Sequence, residues 1–127
     1  MLESEEEPSV AAFALCKLGR EEENKIAIAR AGAISSLVKI LAKKNEIAAK
    51  DAAAAALCNL ASNSGNKVAI ACADAIPLLV DLLRNSNYAR NAVAALRSLA
   101  ANNAENKVAI ANAGAIPLLV RLLKVGS

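Results

Sequence analysis

One phrase occurs three times in this chain. NKIAIARAGAISSLVKIL begins at Asn24, NKVAIACADAIPLLVDLL at Asn66 and NKVAIANAGAIPLLVRLL at Asn106, so the register returns after 42 and then 40 residues. The last two copies agree at 15 of their 18 positions. A period of this length marks a stacked array in which no unit can bury its apolar face alone. It fixes an architecture and names no ligand.

Alanine fills 31 of 127 positions, and Phe13 and Tyr88 are the only aromatic residues. Alanine is the strongest helix former, and its small side chain lets helices approach closely, so an all-α array needs few large residues. Charges interrupt every apolar run before it reaches the ~20 residues a membrane span requires. The start, MLESEEEPS, is acidic and lacks the basic and apolar segments of a secretion signal, so a cytoplasmic or nuclear protein is expected. Charge is uneven along the chain. Up to Glu23 there are seven acids against Lys17 and Arg20, and beyond it five acids against thirteen bases. Such polarity steers an acidic partner, or brings one molecule's head to another's tail, although a surface charge run more often serves solubility.

Each copy divides at a fixed place. Asn66 to Ala73 reads as a short helix, Asp74 interrupts it, and Ile76 to Arg84 reads as a second, with Pro77 in the first turn where its missing N–H costs nothing. Gly32 and Gly114 stand where Asp74 does, at a position suited to a left-handed residue. A longer third helix precedes each copy and carries a leucine pair at i and i+3: Leu15 and Leu18, Leu57 and Leu60, Leu96 and Leu99. The connection into the last of these is three residues shorter than into the second, close to one helical turn, which leaves the leucine face in place. The run Leu78, Leu79, Val80, Leu82 and Leu83 makes the second helix apolar nearly all round, so it must be covered on two sides.

A short helix, a Gly break, AIPLLV and then a long helix ending in ALxNLA resemble the armadillo repeat, and ENKVAIANAGAIPLLVRLL is especially similar to the armadillo regions of plant and protist proteins, U-box ligases among them. The resemblance covers the chain from about Pro8 onward. HEAT repeats, the structural rival, have two helices rather than three. The resemblance implies a right-handed α-solenoid, residues 1–127 forming one array with units near 8–44, 45–85 and 86–125 in the order third, first, second helix. It also implies a concave groove, lined by the third helices, for a protein or extended peptide. Peptide-binding relatives carry a Trp and, four residues later, an Asn on each third helix. Those positions fall here on Phe13, Ala55 and Ala94, and on Lys17, Asn59 and Ser98. Only Asn59 keeps the amide and no Trp is present, which argues against binding a nuclear localisation signal. Lys17, Asn59, Arg90, Asn91, Arg97 and Ser98 are the groove candidates, as a strip for a polar or acidic peptide.

Self-association is a further expectation. Terminal units of a solenoid usually carry polar outer faces. Ser35 and Ser36 replace Pro77 and Leu78 in the first copy, but the last copy keeps the interior pattern. Leu118, Leu119, Leu122 and Leu123 at one end, with Val10 and Phe13 at the other, are the candidates for a homo-oligomeric contact. Docking the Val10 to Leu18 helix on the Ile116 to Val125 helix would place the acidic end beside Arg121 and Lys124, and Leu119→Glu should break an assembly built on that edge. Pairing two C-terminal edges would instead give a two-fold dimer.

Catalysis finds no residues to carry it. Histidine is absent, no phosphate loop or nucleophile elbow occurs, and Glu5, Glu6 and Glu7 have no apolar surroundings to shift their acidity. No cofactor or metal is implied. Cys16 and Cys58 hold equivalent third-helix positions, too far apart across the ~8–10 Å spacing of packed helices for a disulfide, so all three cysteines read as small packing residues. Lys25, Lys67 and Lys107 recur at one register position as a one-per-unit ladder that could track phosphates, but no aromatics stand beside them and nucleic acid is the weakest reading. The expectation is a noncatalytic protein-interaction scaffold. The alternative is an engineered or reconstructed minimal array without a natural ligand, since copies this alike arise by recent duplication or by consensus design.

Overall fold

The computed structural model describes residues 6–44 and 46–125, and every regular element among them is a helix. The long third helices are α1 (Glu6–Leu18), α4 (Ile47–Leu60) and α7 (Ala89–Ala100). The first helices are α2 (Glu22–Arg30), α5 (Ser64–Cys72) and α8 (Ala104–Asn112); the second are α3 (Ala33–Leu41), α6 (Ala75–Leu82) and α9 (Ala115–Val125). They form a right-handed α-solenoid in which α1 packs on α4 and α4 on α7, while α3 meets both α4 and α6. Of the acidic start, Glu3 and Glu5 lie outside the described residues, and Glu6 and Glu7 open α1.

Alanine sets how closely the third helices stack. Ala52, Ala53, Ala54 and Ala56 of α4 are fully buried between neighbours, and Leu57, Leu60, Leu79, Leu83 and Leu99 fill the space between layers. The second helix is covered as its all-round apolar character requires: α6 touches α3, α5, α7 and α8. The shorter connection into α7 is taken up by a 3₁₀ turn, Ser86–Tyr88, and Leu96 and Leu99 remain inside. The leucine pair of α1 departs from its counterparts. Leu15 is half-buried and Leu18 is exposed, and no helix among the described residues packs on that side.

First helices begin about two residues earlier than the repeated phrase suggests. Asn63 and Asn103 each accept a hydrogen bond from the backbone N–H three residues on, at 3.0 and 2.9 Å, and so start α5 at Ser64 and α8 at Ala104. The break between first and second helices is left-handed in all three units, with φ of 89° at Gly32, 67° at Asp74 and 91° at Gly114. Asp74 makes no side-chain cap bond there, so its Cβ strain is only weakly offset by its charge at the start of α6. Asp74→Gly should raise stability by a few tenths to about 1 kcal/mol. A melting temperature that stays level or falls would contradict this account of the turn.

Candidate interaction surfaces

The groove candidates divide into two sets. On α4, the Asn59 amide donates to the Cys16 carbonyl at 2.6 Å and lies 3.3 Å from its Sγ. That carbonyl belongs to the last turn of α1, where helix geometry leaves no internal donor. One unit on, Ser98 Oγ lies 3.6 Å from Cys58 Sγ. The Asn91 amide donates to Asp51 Oδ1 at 3.1 Å. Asn59, Asn91 and Ser98 therefore stitch each third helix to the one before it, a role their register alone did not reveal. Lys17, Arg90 and Arg97 are exposed. Arg90 and Arg97, seven residues apart, share one side of α7. Their counterparts Asp51 and Cys58 are the residues that α7 itself engages, so both arginines stand on the side where a further third helix would sit.

The lysine ladder proves not to be a surface track. Lys25 and Lys67 are buried, and their ammonium groups donate to backbone carbonyls at third-helix ends: Lys25 to Arg20 at 3.1 Å, Lys67 to Ala101 of the next unit at 2.7 Å. A cation is well placed there, since a helix C-terminus carries partial negative charge and unpaired carbonyls. Lys107, at the same register position, is exposed. The asparagine before each lysine works similarly. Asn24 donates to Leu18 O at 3.0 Å and Asn106 to Leu99 O at 2.9 Å, while Asn66 reaches Lys25 O at 3.3 Å. Asn106 is buried, so Asn106→Ala leaves a buried carbonyl without its donor and should cost about 1–3 kcal/mol in chemical denaturation.

The two ends of the array are where the surface departs from the interior. Ile116, Val120 and Leu123 of α9 are 59%, 44% and 76% exposed, whereas their counterparts Ile76, Val80 and Leu83 are 4%, 3% and 0% exposed. Spaced i, i+4 and i+7, they form one helix face. Of the expected C-terminal set, Leu118, Leu119 and Leu122 are half-buried against the core and Leu123 is exposed; Ile116 and Val120, exposed beside it, were not among the residues the sequence singled out. An apolar cleft of about 360 Å³ lies at this end, lined by Val93 of α7 with Ile116, Leu119, Val120, Leu122 and Leu123. At the other end, Val10, Phe13 and Leu18 are exposed as is Ala14. Val10 and Leu18, at 66% and 53%, correspond to Ala52 and Leu60, both at 0%. A second cavity of about 390 Å³ opens there between α1 and α3, with Ala11, Leu15 and Ile40 on its walls and Lys39 and Lys43 beside them.

All three cysteines are free, with Cys72 exposed and Cys16 and Cys58 half-buried. Burial pushes the Cys16 thiol up, outweighing the opposing pull of Arg20, so it stays protonated and unreactive at neutral pH. Among the described residues no three metal-ligating side chains gather, and no single helix is long and apolar enough to cross a membrane.

Comparison with known proteins agrees with this architecture. Residues 21–62 and 103–127 match the Armadillo/beta-catenin-like repeat family. Three crystal structures of engineered proteins, all targets of the Northeast Structural Genomics Consortium, superpose on the chain. The first has a TM-score of 0.88 at 31% identity over 97% of this chain, the second 0.89 at 30% over 98%, and the third 0.87 at 32% over 94%. The chain spans 31%, 52% and 50% of their respective lengths. No curated protein matches it. With the three-helix unit, its left-handed break and over half of the sequence in agreement, the chain belongs to the armadillo/β-catenin-like repeat family.

Proposed function

We propose that this chain is a noncatalytic interaction scaffold that associates with copies of itself through its two end faces. The observation that carries this reading is the exposure of Ile116, Val120 and Leu123 at positions that are buried one unit earlier. Fully covering an exposed aliphatic side chain is worth ~1.5–3 kcal/mol, and these three are 44–76% exposed, so the C-terminal face offers about 3–5 kcal/mol and Val10 and Leu18 add to it. Association itself costs an estimated ~4–15 kcal/mol. Gain and cost are of similar size, which favours a weak, concentration-dependent contact over a permanent one. Sedimentation velocity across low to high micromolar concentration tests this. Mass should rise with concentration, and a monomer throughout would end the proposal.

A second reading, an engineered or reconstructed minimal array, draws support from the agreement of the last two copies at 15 of 18 positions and from the engineered proteins the chain is similar to. It is compatible with association, because repetition toward a common unit makes every face complementary to every other. Peptide binding in the groove has less behind it. Asn59, Asn91 and Ser98 already spend polar groups on neighbouring helices, which leaves Lys17, Arg90 and Arg97 to attract an acidic or polar segment. Free thiols at all three cysteines suit a reducing compartment, the cytoplasm or nucleus.

A further inference from the structure

We infer that the contact between copies is head-to-tail, with α1 of one molecule seated against α7 and α9 of the next in the register that α4 keeps on α1 and α3. This rests on the proposed self-association and specifies its geometry. Within the chain the same docking occurs twice. Helix α4 lies on α1 and α3, and α7 lies on α4 and α6. In each case the incoming helix buries a row spaced by four residues, which on α4 is Ala52, Ala56 and Leu60. On α1 that row is Val10, Ala14 and Leu18, all exposed, while Ala12 on the opposite side is buried against the molecule's own core. The receiving surface of the last unit is the 360 Å³ cleft between Val93 and α9. Reciprocally, the Ile116, Val120 and Leu123 face of α9 projects toward the 390 Å³ cavity between α1 and α3 of the incoming copy. Each end thus carries the half that the other end lacks.

The internal contacts also fix which side chains meet. Asn59 lies on Cys16, and Ser98 lies on Cys58. Their counterparts across a head-to-tail contact are Lys17 of the incoming copy and Arg97 of the receiving one. Two cations meet where neutral groups meet inside. By the same register Arg90, the counterpart of Asp51, falls beside Val10 of the incoming helix, one turn from where Glu6 and Glu7 open α1. The contact is therefore weakened at the Lys17 end of the helix. A two-fold pairing of C-terminal faces leaves Lys17 in water. Because the step from copy to copy repeats the solenoid's own superhelical step, it does not close, and the assembly grows as an open polar chain.

Two variants, each with one face blocked, test this in the 127-residue chain. Ala14→Lys places a charge in the α1 row near Arg97, and Val120→Lys places one on α9 opposite Lys39 and Lys43. Head-to-tail docking leaves each variant monomeric alone and joins the two in a one-to-one dimer on mixing. If Ala14→Lys alone dimerises as the unmodified chain does, C-terminal faces pair with each other and the inference fails; the same holds for Val120→Lys and pairing of N-terminal faces. If both variants alone still associate, the end faces are not the contact. Val10→Lys serves as a second block should Ala14→Lys lose its helical circular dichroism. An unmodified chain that stays monomeric refutes self-association itself, an outcome these mixtures do not produce. Lys17→Glu completes the test. It replaces a like-charge pair with an opposite one and should tighten association roughly tenfold at low salt, with the gain shrinking at high salt. No gain at low salt would overturn the register.

Discussion

Leu79→Ala should lower the free energy of unfolding by about 3–5 kcal/mol, and with it the melting temperature by roughly 10–20 °C. Leu79 is fully buried in α6 of the middle unit, which packs against α3 on one side and α7 on another. Truncation there removes a large side chain and leaves a void that neighbouring helices, held by stacked alanines, cannot collapse to fill. Its counterparts make the series informative. Leu37 of α3 is as buried as Leu79 and should cost a similar amount, but Leu119 of α9 is half-buried and should cost only about half as much. A chain of this length has a total stability of about 6–19 kcal/mol, so the loss at Leu79 is a large share of the whole. Equal losses at Leu79 and Leu119 in urea denaturation would mean that the last unit is covered in solution.

The period, the three-helix unit and the left-handed break at Gly32, Asp74 and Gly114 were legible because each rests on local rules: spacing, helix propensity and the backbone demands of a tight turn. The roles of Lys25, Lys67 and Asn59 were not. A lysine or asparagine on a helix looks solvent-facing in a pattern, and its burial depends on a carbonyl supplied by another segment, at Arg20, Ala101 and Cys16. One signal was available for the first lysine. Lys25 stands seven residues after Leu18, close enough in sequence to reach the end of the preceding third helix, whereas the contact of Lys67 with Ala101 is long-range. The end faces were legible in kind but not residue by residue. Arg121 and Lys124 mark a polar side of α9, but its apolar residues outnumber those its own unit can cover, so the pattern does not say which of them stay exposed. Near-identical phrases in α6 and α9 differ in how much they bury, Ile76, Val80 and Leu83 being covered where Ile116, Val120 and Leu123 are not, because burial belongs to the neighbour as much as to the sequence.

That difference in burial decides the other large effect. Val120→Lys should weaken self-association by at least about 100-fold while leaving the folded monomer within ~0.5 kcal/mol of its original stability. Val120 is partly exposed, and a lysine at its position in the isolated molecule can extend into water. In the contact the same ammonium loses its water and faces Lys39 and Lys43 of the next copy, the latter already paired with Glu46 at 3.8 Å, and a poorly paired buried charge costs several kcal/mol. Leu119→Glu, the substitution the sequence first suggests, is a poorer test. Leu119 packs against the core, so a carboxylate there unfolds the last unit and dissociates the assembly for an unrelated reason. Sedimentation equilibrium and urea denaturation, run on both variants, separate the two effects. Val120→Lys should move only the first measurement and Leu119→Glu both, whereas a Val120→Lys chain that associates as before would show that the α9 face is not part of the contact.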